Sequence, residues 1–401
     1  MHRIALLLLV FLMQGNLLRA QTRNSRPQVT VTPEAQAIHR EAIVIDGHND
    51  LPWQFRSKPD FSFRKLDLSR LQKSTHTDIP RLQKGGVGAQ FWAAYVPVDR
   101  KDVVRTTLEQ IDIIHGFIHD YPEIFELADS PESLIRIHKK GKIASMIGVE
   151  GGHSIDNSLG VLRDYYRLGV RYMTLTHTAD LDWADSSAGT GKNQGLSKFG
   201  EEVVHEMNRL GMLVDLSHVS AVTMRHTLRV AKAPVIFSHS SAFALNDHPR
   251  NVPDDVLKLV VKNGGVVMVN FYPGFLTKEA ARALGRYNKY EDELRRTTKD
   301  EKEIELALER FRKENPIPPA DIYDVVDHID HIVKTAGIDH VGLGSDYDGI
   351  NAVPKQLEDV SCFPRITQEL LNRGYKKEAI VKILGGNLIR AWKQAQQVAE
   401  H

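Results

Sequence analysis

The chain has 401 residues, with 52 Lys and Arg against 51 Asp and Glu and a formal net charge of +1. So even a balance supplies no global field to draw in nucleic acid or an anionic membrane, and a small, nearly neutral substrate fits better. The length admits two domains, but α/β barrels commonly fill about 250 residues or more as one unit, so one large core is the simpler expectation.

The first twenty residues, MHRIALLLLVFLMQGNLLRA, place Arg3 before an apolar stretch from Ile4 to Met13 and reach Ala20 at a suitable cleavage point. That stretch is shorter than the roughly 20 apolar residues of a membrane span. Residues 1–20 therefore read as a removed export signal, and the mature protein as soluble and periplasmic or secreted, without a stable membrane anchor. An uncleaved anchor is the alternative, because Leu18 is larger than the residue usual before such a site. Residues 21–34, QTRNSRPQVTVTPE, are polar and read as a flexible lead-in to one domain over 35–401. Cys362 is the sole cysteine, so no disulfide can form within this sequence, and it reads as a packed thiol.

Short apolar runs then alternate with helical patterns. In chain order the runs are AIVIDGHND, VGAQFWAAYV, ASMIGVEGG, VRYMTLTH, GMLVDLSH, PVIFSHS, GGVVMVNFYP and HVGLGSDYDG. Between them lie segments such as VVRTTLEQIDIIHGFIHDY, KFGEEVVHEMNRLG and PDDVLKLVVKNGG, several closing on glycine as helix C-termini do. Eight buried strands alternating with helices predict a (β/α)8 TIM-like barrel. After the seventh run, residues 277–315 are charged and helix-favouring, and predict a solvated helical hairpin; a substrate-gating lid is the rival, since the segment leaves the barrel on its loop side.

Five of the runs end in a residue that binds metal or moves protons: His48 with Asp50, Glu150, His218, His239 and Asp346. Polar groups at the far ends of parallel strands collect at one face of a barrel. His48 and Asp50 are two apart, so in extended backbone both side chains point the same way and can grip one ion. Imidazole and carboxylate suit Zn²⁺, and Glu150 can bridge two ions while His218 and His239 bind the second. Two ions about 3.5–4 Å apart can share and acidify a hydroxide. Taken singly, each histidine is more often packed or solvated than catalytic, Glu150 can cap a turn, and Arg250 can pair with Asp254 or Asp255 on the surface. Their joint occurrence outweighs these plainer readings.

The stretches DGHNDLPWQ, GVEGGHS, YMTLTHT, WADSS, LVDLSHVS, VIFSHSSA, RNVPDDVL, VNFYPGF, LGSDYDG, LEDVS and ILGGNLIR run from Ile43 to Arg390 in an order that resembles the membrane dipeptidase (renal dipeptidase) family of the amidohydrolase-like barrels. The resemblance implies two zinc ions per chain, one on His48 and Asp50 and the other on His218 and His239, bridged by Glu150. It implies that His177 steadies the oxyanion, Arg250 holds the substrate carboxylate and Asp346 shuttles the proton. Asp348 is a second candidate for that last role, and Tyr272 and Trp53 are expected pocket walls. His153, His226, His248 and His340 are left as structural or exposed. The implied activity is hydrolysis of small dipeptides, including ones with a C-terminal D-residue, through a metal-bridging hydroxide, with a homodimer as a compatible assembly. Relative to the family's animal enzymes, the cysteines for their disulfides and the lipid-anchor tail are missing, and residues 277–315 look like an insertion. The rivals are another amidohydrolase-type lactonase, deacylase or phosphotriesterase, and a catalytically idle metal-binding barrel.

Overall fold

The computed structural model describes residues 26–56 and 66–399. The export-signal reading of residues 1–20 lies outside them. Among the described residues no helix is long and apolar enough to cross a membrane.

Nine strands, all parallel, form the sheet: β1 (Val44–Asn49), β2 (Val87–Tyr95), β3 (Phe125–Leu127), β4 (Ile143–Glu150), β5 (Val170–Thr174), β6 (Leu213–Asp215), β7 (Ile236–Phe237), β8 (Val266–Val269) and β9 (Val341–Leu343). Eight of them close a barrel, because β2 pairs with both β1 and β4 and β1 pairs with β9. The eight apolar runs supply these eight strands. The ninth, β3, was not expected. It lies beside the first half of β4, Phe125 opposite Ile143, on the side where β5 joins the second half, Glu150 opposite Thr174. Three residues with Glu126 at the centre leave no apolar run to read.

The strands alternate faces as a barrel requires. Ile45, Phe91, Met146, Tyr172, Ile236 and Met268 fill the interior, and the last helix, Asn387–Val398, closes its lower end with Leu388 and Trp392. Their sequence neighbours Val44, Trp92, Ile147, Phe237 and Val267 pack outward against the helical layer. Helices start on capping side chains such as Ser130, Ser197 and Ser220. The expected glycine stops are present at Gly211 (φ 73°) and Gly264 (φ 82°), left-handed positions that favour glycine.

After β8, the seventh barrel strand, helices Lys278–Thr297 and Glu301–Glu314 form the predicted hairpin around Tyr287, Ile304 and Leu308. The lead-in differs from its compositional reading over residues 26–34. Arg26 pairs with Asp321 (2.7 Å), the Val29 N–H donates to Gln356 (2.7 Å), and a helix begins at Pro33 on the Thr32 cap, so partners far along the chain hold this segment.

Helix Ile322–Ala336 carries His328, a buried link between the segment after β7 and the end of the short helix Pro273–Leu276: its Nδ1 accepts the Ala242 N–H (2.9 Å) and its Nε2 meets the Leu276 carbonyl (3.0 Å). That pairing needs the neutral ring, and burial pushes its pKa down to about 4. An unfolded-state histidine protonates near 6.5, so between pH 6.5 and 4 the unfolded chain binds more protons and stability falls as pH falls. Urea unfolding should show His328 contributing a loss on the order of 3 kcal/mol across that window. His328→Gln should remove that part of the pH dependence, and an unchanged slope would assign it elsewhere.

Candidate metal centre and substrate cavity

The expected ligands do meet above the C-terminal ends of the strands. His48 lies within β1 with Asp50 just beyond it, and Glu150 is the last residue of β4. His177, His218, His239 and Asp346 each follow a strand by two or three residues. Glu150 is the hub. Its Oε1 lies 3.0 Å from His218 Nε2, 3.5 Å from His48 and His239 Nε2, and 3.7 Å from His177 Nε2. His48 Nε2 is also 3.2 Å from Asp50 Oδ2.

Strands β6 and β7 are shorter than their apolar runs because Asp215 intercepts the backbone. Its Oδ1 accepts the N–H groups of Ser217 and Ser238, donors that a sheet ladder would otherwise use. His218 and His239 therefore sit on turns just past the ladder. His218 and Asp346 hold φ of 67° and 65°, left-handed values that non-glycine residues adopt at a cost.

The donor set fits a metal pair. His48 Nε2 is buried and aimed between Asp50 Oδ2 and Glu150 Oε1, and His218 Nε2 faces His239 Nε2 at 2.9 Å. Converging imidazole nitrogens and carboxylates with so few hydrogens between them repel unless a cation lies among them. Two groups of three, His48, Asp50, Glu150 and Glu150, His218, His239, have ligand atoms mutually within 4.8 Å and share Glu150. Burial would raise the Glu150 carboxyl, but His48, His177 and His218 more than offset it and hold it well below the ordinary range. His48 is anchored from behind by the Tyr172 hydroxyl (2.8 Å from Nδ1). Gly148 makes room for that ring, since a Cβ there would lie 2.0 Å from it.

The centre opens into a cavity of about 450 Å³ lined by Trp53, Tyr95, His177, Arg250, Tyr272 and Asp346 among others. Arg250 is 6 % exposed, bonds Ser240 Oγ and the His239 carbonyl (3.2 Å each) and lies over the Phe275 ring. It forms no ion pair among the described residues, and burial pushes its pKa down to about 10. The surface pairing open to it in sequence is absent, because Asp255 pairs with Arg225 and Asp254 with His331. A buried guanidinium without a carboxylate has the charge and the donor fork to receive one.

Asp346 lies between the cluster and Asn270, whose Nδ2 donates to Oδ2 (2.9 Å). Burial pushes its pKa up to about 7. Asp348 also faces the cavity, but its Oδ1 is engaged by the His76 N–H (2.6 Å). His177 is kept neutral by burial, with a pKa near 4, and its ring lies tilted between those of Tyr95 and His218, with centroids 5.0 and 4.3 Å away. His153 bonds the Val96 carbonyl, His226 bonds Glu201 and His340 bonds the Gly265 carbonyl, while His248 accepts the Arg250 N–H, so none of the four joins the ligand groups. Cys362 is buried beside Glu358 and Arg365, also outside them. Sequence reasoning missed Tyr95, Tyr172, Asn270 and Asn288. The last is an exposed residue of the inserted hairpin that reaches the cavity rim.

The sequence model described as membrane dipeptidase (peptidase family M19) matches residues 32–401. The probable dipeptidase PvdM from Pseudomonas aeruginosa superposes with a TM-score of 0.80 at 26% identity, covering 91% of this chain and 98% of that one. A metallo peptidase from Rhodobacter sphaeroides, liganded with a phosphinate mimic of the dipeptide L-Ala-D-Ala, gives 0.72 at 22% identity over 88% and 99%. A metallo peptidase described as dipeptidase AC of family M19 gives the same values over 88% and 98%. With a closed parallel barrel and a match spanning nearly all of the described residues, the chain belongs to the membrane dipeptidase family, peptidase family M19.

Proposed function

We propose that this protein is a dizinc dipeptidase that cleaves small dipeptides, including those with a C-terminal D-residue, the class mimicked by the ligand of the Rhodobacter relative. The observation that carries the reading is the placing of an unpaired, buried Arg250 across one small cavity from a carboxylate shared by four imidazoles. Such a cavity can anchor one end of a substrate while presenting its amide to the metal centre.

Bound zinc supplies Lewis acidity and an acidified water at neutral pH. His48, Asp50 and Glu150 would hold one ion, and Glu150, His218 and His239 the other. Arg250 binds the substrate's C-terminal carboxylate through its guanidinium fork. His177, neutral in its buried position, donates a hydrogen bond to the carbonyl oxygen as charge develops there. Asp346 takes the proton from the attacking water and returns it to the departing amine, a task suited to a carboxyl whose pKa burial lifts toward 7. Trp53 and Tyr272 form the walls. Residues 1–20 are read as an export signal, which places the enzyme outside the cytoplasm; N-terminal sequencing of secreted protein, with Gln21 first, tests this.

Arg250 also acts as a ruler. A charge-assisted contact in a partly dry pocket is worth roughly 1.5–3 kcal/mol. Dipeptide amides lack the carboxylate and tripeptides place it too far away, so both should be poor substrates. Arg250→Ala should lower kcat/KM for a dipeptide by roughly 10- to 100-fold and for its amide much less. Equal losses for the two, or wild-type cleavage of longer peptides at the same rate, would point to another amidohydrolase-type activity.

A further inference from the structure

Two buried aspartates, Asp46 and Asp215, recur in one arrangement on opposite parts of the barrel. Each lies two or three residues before a metal-site histidine, and each grips a serine just past the neighbouring strand that immediately precedes another site residue. Asp215 Oδ1 accepts the Ser217 and Ser238 N–H groups (3.1 and 2.8 Å), and its Oδ2 accepts the hydroxyls of Ser238 (2.6 Å) and Thr174 (2.5 Å). Asp46 Oδ1 accepts the His48 and Ser345 N–H groups (3.3 and 2.7 Å), and its Oδ2 accepts the Ser345 hydroxyl (2.6 Å). All of these residues are fully buried or nearly so.

The two serines then do different things. Ser238 has one hydroxyl proton and spends it on Asp215, so toward His239 Nδ1, 2.7 Å away, its oxygen can only accept. The imidazole proton is thereby drawn to Nδ1, and Nε2 is left with a free lone pair facing Glu150. Ser345 instead bonds backbone groups, its hydroxyl lying 3.3 Å from the His48 carbonyl. Its oxygen accepts the Tyr347 N–H (3.2 Å), and with the Asp346 N–H donating to the His48 carbonyl (3.1 Å) it fastens the turn on which Asp346 holds its left-handed conformation.

We propose that the two Asp–Ser clamps position the two parts of the centre separately: Asp215–Ser238 fixes the ligand tautomer of His239, and Asp46–Ser345 fixes the backbone that carries Asp346. This rests on the dizinc reading above for the ions themselves. The tautomer of His239 is a property of the metal-free protein and can be read without them.

The test compares wild type, Ser238→Ala and Ser345→Ala in three readouts: zinc per chain at controlled free zinc, ¹⁵N shifts of His239 in chelator-treated protein, and kcat. In Ser238→Ala one ion should stay bound as in wild type while the affinity of the other falls about 10- to 100-fold. Its metal-free His239 should populate both tautomers, where wild type shows Nδ1 protonated. Ser345→Ala should keep both ions at wild-type affinity and lose kcat about ten-fold, a cost of roughly 1.4 kcal/mol. Ser238→Ala with unchanged zinc affinity and a single tautomer overturns the proposal. So does an equal weakening of both ions accompanied by a lower Tm of the metal-free protein, which would mark Ser238 as structural only. A wild type holding fewer than two ions would remove the dizinc reading and leave the tautomer comparison to decide the role of the Asp215 clamp.

Discussion

Asp346→Asn should lower kcat by about 10²–10⁴ with both zinc ions retained, the expected cost of removing a positioned proton shuttle. Asparagine preserves the volume, and its carbonyl can still accept from Asn270, whose Nδ2 now donates to Asp346 Oδ2. The change therefore isolates the proton. Geometry leaves one rival role, because an Asp346 oxygen lies within 4.8 Å of ligand nitrogens of His48 and His239. If the asparagine variant loses metal, Asp346 is a ligand and the shuttle must be sought elsewhere. If turnover stays near normal with metal in place, attention moves to Asp348, which also lines the cavity and whose pKa burial raises to about 6.

Chelation should abolish hydrolysis of any dipeptide, and added zinc should restore it to stripped wild type but not to Glu150→Gln. The amide retains the shape of the side chain but loses the negative charge on which four imidazole nitrogens converge within 3.7 Å. A neutral group can neither bridge two cations nor balance them in a buried site, so kcat/KM should fall by roughly 10³-fold or more and the zinc count by at least one per chain. Elemental analysis and rescue titrations measure both. Active wild type with a single tight metal per chain would end the dinuclear reading, and full rescue of the glutamine variant would take the hub role away from Glu150.

The barrel and the metal-capable side chains that gather on one face of it were legible in the sequence because both depend on local pattern. Runs such as ASMIGV and GMLV are too short for helices and too apolar for loops, and each ends in a residue costly to bury without a partner. Glycine stops at Gly211 and Gly264 and the hairpin over residues 277–315 were readable for the same reason. The three-residue β3 was not, since Glu126 breaks the only pattern it has. The lead-in misled for a related reason: composition reports that residues 26–32 are polar, whereas their anchorage depends on Asp321 and Gln356, some 300 residues away.

What the sequence by itself determined is therefore the fold class, the set of metal-capable side chains and the face on which they gather. Only the tertiary structure decided their partners. Arg250 has Asp254 and Asp255 close by in sequence, yet His331 and Arg225 take those carboxylates and leave the guanidinium buried with no carboxylate paired to it among the described residues. Tyr172 reads as one more core aromatic until closure sets its hydroxyl against His48, 124 residues away. Asp46 and Asp215 look like ordinary strand-end acids until the adjoining strands bring Ser345 and Ser238 to them. The physical reason is common to all three: periodicity along the chain reports how deeply a side chain is buried, while the hydrogen bonds it makes there are set by which distant strands the barrel closure places beside it.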